Sequence, residues 1–184
     1  PTSAWGKSFF TVPLATRTGG DTFRFLASTN GTNVSVNGVV VTTTPLNKGQ
    51  FFEQIITAAS QITADQPILV TQYSNGQSFD GVSADPFMML VTPSAQYLAS
   101  YTVTTPASGF SSNFVNIVAP TAGLGSIKLD GTVIAANLFN AIGSTGFSGA
   151  KVPLTVGSHT LTGLVPFGTI VYGFASFDGY GYAG

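Results

Sequence analysis

Val34-Ser35-Val36-Asn37-Gly38-Val39-Val40-Val41 decides the fold class. Its apolar residues alternate with a polar one before the turn, which is the period of a half-buried strand and not of a helix. Asn-Gly accepts the positive φ that a two-residue hairpin demands, so the stretch reads as strand, tight turn, strand. The same reading extends outward. Phe23-Arg24-Phe25-Leu26-Ala27-Ser28, Ser126-Ile127-Lys128-Leu129 and Leu154-Thr155-Val156 alternate in the same way. Ile68-Leu69-Val70 and Thr169-Ile170-Val171-Tyr172 are short continuous apolar runs that suit strands buried on both faces. Asn30-Gly31, Asn75-Gly76, Asp80-Gly81, Asp130-Gly131 and Asp178-Gly179 punctuate them as turns. Prolines recur through the chain and mark strand ends and loops. The expected fold is an all-β antiparallel sandwich with at most one short helix. Phe51 to Ser60 reads as extended, because paired Phe and Ile outweigh its helix formers, and Ala135 to Ile142 is the best short-helix candidate.

The order of segments echoes itself. Val34 to Val41, then Lys48-Gly49-Gln50-Phe51, then Pro67 to Tyr73 is matched by Ser126 to Ile134, Val156 to Leu161 and Gly168 to Phe174. Each series runs strand, Asx-Gly hairpin, strand, Gly turn, buried strand. The expectation is one module over residues 1–184 with a pseudo-repeat at about 22–105 and 112–178, two similar β-units packed together.

Six basic and seven acidic residues make the chain 7% charged, against roughly 25% in an average soluble domain. Hydrophobic residues are 43%, with 15 Phe and 6 Tyr, so a substantial core is available and disorder is excluded. A net charge of -1 with scattered cations gives no footprint for a phosphate backbone, so nucleic acid is not an expected partner. No apolar run is long enough to cross a bilayer as a helix. With no Cys, the compartment is not fixed by redox chemistry. Pro1-Thr2-Ser3-Ala4-Trp5 lacks the basic and apolar regions of an export signal, which is expected to lie upstream.

Trp5-Gly6-Lys7-Ser8-Phe9 with Pro13 and Arg17, Asp21 to Ser28, Thr32-Asn33-Val34, Ile62 to Tyr73, and Asp85-Pro86-Phe87-Met88-Met89 with Pro93 and Gln96 follow one another in a distinctive order. Leu129-Asp130-Gly131, Gly157 to Leu161, Phe167-Gly168, Tyr172-Gly173-Phe174 and Tyr180-Gly181-Tyr182 continue it. In this order the chain resembles the IgGFc-binding protein amino-terminal domain family, a module of secreted and cell-surface proteins. The resemblance implies an extracellular, mostly β, adhesion-type module whose domain begins upstream of Pro1. It carries over no ligand-contacting residue and does not imply antibody binding.

Asp80 and Asp85 share the loop Asp80-Gly81-Val82-Ser83-Ala84-Asp85-Pro86, and two carboxylates on one loop are a weak calcium candidate. The spacing matches no EF-hand, and an Asx-turn at Asp80 with a turn cap at Asp85 accounts for both more simply. His159 is the sole histidine, so any Ser-His-Asp triad would depend on it, and no nucleophile elbow accompanies it. A hydrogen-bonded structural role is the expectation, and no catalytic residue is assigned. Gly19-Gly20 and Gly143 to Gly149 lack the lysine and the strand-to-helix context of a phosphate cradle. Tyr172, Phe174, Phe177, Tyr180 and Tyr182 form an aromatic series that fits core packing, with sugar stacking as the alternative.

A neutral surface suits contact with other neutral surfaces, because burying unpaired ions costs several kcal/mol. The leading expectation is therefore a non-enzymatic extracellular structural or adhesion module. Its partners are itself, as a homopolymer, or neighbouring surface modules. The candidates for self-association are the terminal aromatics Trp5, Phe9, Phe10, Phe177, Tyr180 and Tyr182. The alternative is a lectin-like module with glycans as partners and calcium as cofactor.

Overall fold

A computed structural model describes residues 5–184; Pro1 to Ala4 lie outside the described residues. The chain forms two antiparallel sheets that divide it near its middle. The first contains β1 (Gly6–Thr11), β2 (Asp21–Ala27), β3 (Val34–Val36), β4 (Val39–Val40), β5 (Phe51–Ile56), β6 (Ser60–Ser74) and β7 (Phe87–Leu90). The second contains β8 (Leu98–Thr104), β9 (Ser112–Pro120), β10 (Lys128–Leu129), β11 (Thr132–Val133), β12 (Asn140–Ala141), β13 (Phe147–Leu154), β14 (Ser158–Ala175) and β15 (Asp178–Ala183). The sandwich expected from alternation is what forms. No helix among the described residues is long and apolar enough to cross a membrane.

β6 and β14 are the spines, and their neighbours follow one plan. The first part of β6 pairs with β1 and β3, and its second part with β2 and β7. The first part of β14 pairs with β8 and β10, and its second part with β9 and β15. Both spines carry a proline, Pro67 or Pro166, inside the stretch where the ladder shifts register. A residue without an N–H fits such a break. Each sheet then adds a hairpin. Asn37 (φ 51°) and Gly38 (φ 80°) join β3 to β4, and Asp130 (φ 50°) and Gly131 (φ 81°) join β10 to β11. Two successive positive φ values define a type I′ turn. The side chains do the same work in each: Asn37 Oδ1 accepts the Gln61 N–H at 2.9 Å, and Asp130 Oδ1 accepts the Thr160 N–H at 2.8 Å.

The shared plan runs over residues 6–90 and 98–183, so both spans begin earlier in the chain than the sequence echo at about 22–105 and 112–178. β8 pairs with β14 and so belongs to the second half, while β1 pairs with β6 and belongs to the first. Three local expectations also change. Ala135 to Ile142 makes a short 3-10 turn at Ala136–Leu138 and then pairs as β12. The one α-helical turn among the described residues, α1 (Gln77–Asp80), lies where a loop was expected. Thr155 and Val156 fall in the turn that follows β13. Phe51 to Ile56 is extended as the paired aromatics predict.

One core gathers Phe9, Phe23, Phe25, Val34, Ile62, Ile68 and Val70 from the first half together with Ile170, Tyr172 and Phe174 from the second. Another gathers Tyr101, Val115, Ile117, Leu161, Phe167 and Val171 within the second half. Residues 170, 172 and 174 point to one core and 167 and 171 to the other, so β14 is buried on both faces, as its continuous apolar run predicts. The matching run in β6 behaves differently. Ile68 and Val70 are fully buried, but Leu69 is half-buried. Among the described residues that face of the first sheet is therefore only partly covered.

Candidate binding surface

The difference between the two sheets starts at the segment after β1. Its buried backbone cannot be left without partners, because each unmade hydrogen bond costs about 1–3 kcal/mol. The Ala15 N–H donates to Tyr172 Oη (2.8 Å), the Tyr172 hydroxyl donates to Asn116 Oδ1 (2.7 Å), and Asn116 Nδ2 donates to the Val12 carbonyl (2.8 Å). Asp21 Oδ2 accepts the Leu14 N–H (2.8 Å) and Gln72 Nε2 (2.9 Å). Burial pushes the Asp21 carboxyl up to about 6, against the pull of those two bonds and of the Lys151 and Arg17 charges. Arg17 pairs with Asp80 at 2.8 Å, both side chains almost wholly buried, and Arg17 also donates to the Val82, Asn75 and Gly76 carbonyls. Its guanidinium lies 5.7 Å from the Phe174 ring. This segment, with Phe10 and Val12 against Val118, seals the face of the second sheet that carries Phe114, Asn116, Val118, Ile170, Tyr172 and Phe174.

In the first sheet the positions equivalent by register are Thr22, Arg24 and Leu26 on β2 and Leu69, Thr71 and Tyr73 on β6. Among the described residues no segment of the chain seals them, and of the six only Thr71 is buried. Directly paired residues share a face, so Phe51, Glu53 and Ile55 of β5 and Met88 and Leu90 of β7 extend it. Phe51, Ile55, Met88 and Leu90 are 52%, 48%, 54% and 49% exposed, which is high for four large apolar side chains on one sheet face. At the centre the Arg24 guanidinium lies 5.0 Å from the Phe51 ring and 4.9 Å from the Tyr73 ring. Arg24 Nε also donates to Glu53 Oε2, so the charge is neutralised on the surface. The rim is open too. β5 pairs with β2 alone among the described strands, whereas the equivalent β13 pairs with β9 and is partly covered by β12. The chemistry is that of an interaction surface: apolar and aromatic area around one fixed, paired arginine beside an unpaired sheet edge.

The residues singled out in the sequence fall elsewhere. Phe9 and Phe10 are buried, at 1% and 4% exposure, with Phe10 stacked on Phe147 at 4.2 Å. They correct the expectation that the first segment offers free aromatics, since β1 is fixed along β6. Trp5 is half-buried just before β1. Phe177 is 71% exposed at the β14–β15 turn. Tyr180 and Tyr182 lie half-buried on β15, stacked on each other at 6.4 Å, with Phe110 edge-on to Tyr180 at 4.9 Å. β15 presses against β7 so closely that a Cβ on Gly181 would come within 2.5 Å of the Phe87 ring.

Asp80 spends both carboxylate oxygens inside the chain: Oδ1 on Arg17 and the Val82 N–H, Oδ2 on the Thr18 N–H. Asp85 is exposed. Among the described residues no group of three or more His, Cys, Asp or Glu side chains gathers as a metal site would need. His159 Nδ1 lies 2.7 Å from Asp130 Oδ2 and Nε2 lies 2.9 Å from the Thr155 carbonyl. Both ring nitrogens face acceptors, which favours the imidazolium. Burial opposes that charge, yet the bonds to Asp130 and Thr155 outweigh it and hold the His159 pKa above its ordinary value.

Arg24, Phe51, Ile55, Met88 and Leu90 were missed as a group. The available signal was the alternation itself. With Phe23 and Phe25 inward, Arg24 and Leu26 must point outward, and in Phe51-Phe52-Glu53-Gln54-Ile55-Ile56 both faces are apolar.

The fold and this surface together define a two-sheet β-module with one sealed and one open sheet face. The chain belongs to the IgGFc binding protein family, whose sequence profile matches residues 1–173. It is 26% identical over 186 residues to human (Homo sapiens) IgGFc-binding protein, covering 98% of this chain and 3% of the human protein. Among solved structures, it is similar at TM-score 0.29 and 12% identity to Streptomyces avermitilis alpha-L-rhamnosidase, covering 98% of this chain and 26% of that one. Pleurotus ostreatus lectin gives TM-score 0.28 and 8% identity over 98% of this chain and 77% of that one. Neither structural likeness bears on function.

Proposed function

We propose that the chain is a non-enzymatic extracellular structural or adhesion module that assembles with copies of itself or with neighbouring modules at the cell surface, as part of a filament, sheath or adhesin. One observation carries the reading. Four half-exposed apolar side chains surround a neutralised Arg24–Glu53 pair on a sheet face whose counterpart in the second half is sealed. Low charge supports it, because joining such surfaces desolvates few ions. The human relative's name records binding to IgG Fc, and recognition of another protein surface is the class of event proposed here.

Sedimentation velocity and electron microscopy of the purified chain over a concentration series test the reading. The expected result is particle mass that grows with concentration. Monomer mass throughout would reject self-assembly, and glycan-array binding abolished by a chelator would favour the lectin alternative instead.

A further inference from the structure

We propose that the open face of the first sheet receives the aromatic end of the second half of another copy, so that copies stack head to tail. This rests on the self-assembly reading above and names the two surfaces that meet. The contact between the halves within one chain is heterologous. The first half contributes its post-β1 segment and the inner side of β7, and the second half contributes the opposite, outward face of its own sheet. Val12 lies against Val118, and Phe87 lies 5.7 Å from Phe174. A heterologous contact leaves one unmatched surface at each end of the molecule, and repeating it between molecules extends a line rather than closing a pair.

Both unmatched surfaces are present. The receiving face is the one around Arg24, Phe51, Ile55 and Leu90. The inserting end follows from the registers. Phe87 and Met89 pair with Ser74 and Gln72 on one spine, and Tyr180 and Tyr182 pair with Gly173 and Val171 on the other. Val12 follows Thr11, which pairs with Ser60, and Thr104 follows Val103, which pairs with the equivalent His159. Thus Tyr180, Tyr182 and Thr104 stand where Phe87, Met89 and Val12 make the internal contact. They form one unit: the Tyr182 hydroxyl donates to the Thr104 carbonyl (2.7 Å) and accepts the Thr104 N–H (2.9 Å), while Tyr180 stacks on Tyr182 and Phe110. Met89 is buried against the second half, while Phe87, Tyr180 and Tyr182 are each half-buried, so the two tyrosines keep area free for a further contact. Tyrosine rings are also suited to a face centred on a guanidinium.

Two double variants test the stacking. Ile55→Arg with Leu90→Arg blocks the receiving face, and Thr102→Arg with Thr104→Arg, both at exposed β8 positions, blocks the inserting end. Thermal unfolding by circular dichroism confirms that each folds, with the milder Ile55→Thr and Leu90→Ser replacing the first pair if it does not. Each variant alone is expected to lose self-association by about tenfold or more. Mixed in equal amounts, they are expected to form a particle of two chains and nothing larger, because one intact face meets one intact end. A mixture that stays monomeric while the unmodified chain associates would overturn head-to-tail stacking and leave self-assembly standing. An unmodified chain that never associates would overturn both.

Discussion

Replacing Asp21 by Asn should flatten the dependence of stability on pH. Asp21 is fully buried, and its Oδ1 has no hydrogen-bond partner among the described residues. Burial raises its pKa from 3.8 to about 6, so the folded chain holds the proton more tightly than the unfolded chain. The stabilisation from this proton is complete below the unfolded value and is lost as pH rises through about 6. A shift of about 2 units at 1.36 kcal/mol per unit makes the loss about 3 kcal/mol between roughly pH 4 and pH 7. Asparagine keeps an acceptor for the Leu14 N–H and Gln72 and carries no titratable proton. Urea unfolding across this range should show the unmodified chain losing about 3 kcal/mol more than Asp21→Asn, with the variant the more stable of the two near neutrality. The slope from His159 is common to both and cancels in the difference. Parallel curves would refute the reasoning, since they would mean that Asp21 titrates alike in the folded and unfolded chain.

Three further outcomes follow from the same contacts. Arg17→Met leaves the Asp80 carboxylate buried without its cation and should cost about 3–5 kcal/mol in urea unfolding, whereas a loss under about 1 kcal/mol would show the pair to be dispensable. His159 should titrate by NMR above 6.5. Because its folded pKa is raised, its stabilisation is full below 6.5 and lost as pH rises through the folded value, and His159→Gln should remove that slope. Ionic strength should barely change the unfolding midpoint, since six cations and seven anions spread along the chain offer no cluster to screen; a large shift between low and physiological salt would contradict this.

Local chemistry was legible where it depends on neighbours in sequence. Asn37-Gly38 and Asp130-Gly131 announced their hairpins because their backbone demands are local, and the strands beside them followed from period two. What was not legible depends on partners far away in sequence. Leu69 and Ile170 sit in similar apolar runs, yet one is half-exposed and the other lies inside a core, because the sealing segment covers that face of the second sheet and, among the described residues, no segment covers that of the first. Phe9 and Phe10 read as terminal aromatics open to a partner, but β1 lies along β6, and Asp80, which reads as a turn residue with calcium as the weaker alternative, has distant partners in Arg17 and Thr18 that local sequence does not reveal. The short helix expected from Ala135 yields to β12 pairing, where the ladder outweighs a weak local preference.

Methyl NMR of the selectively labelled chain, followed from dilute to concentrated solution, tests the open face most directly. The methyl signals of Ile55, Met88 and Leu90 should shift or broaden together as copies associate. Those of Leu164, 91% exposed at the register break of β14 and remote in the ladder from both proposed surfaces, should not. Unchanged signals at Ile55, Met88 and Leu90, or changes confined to Leu164 and its neighbours, would contradict the assignment of this face as the surface through which the module binds.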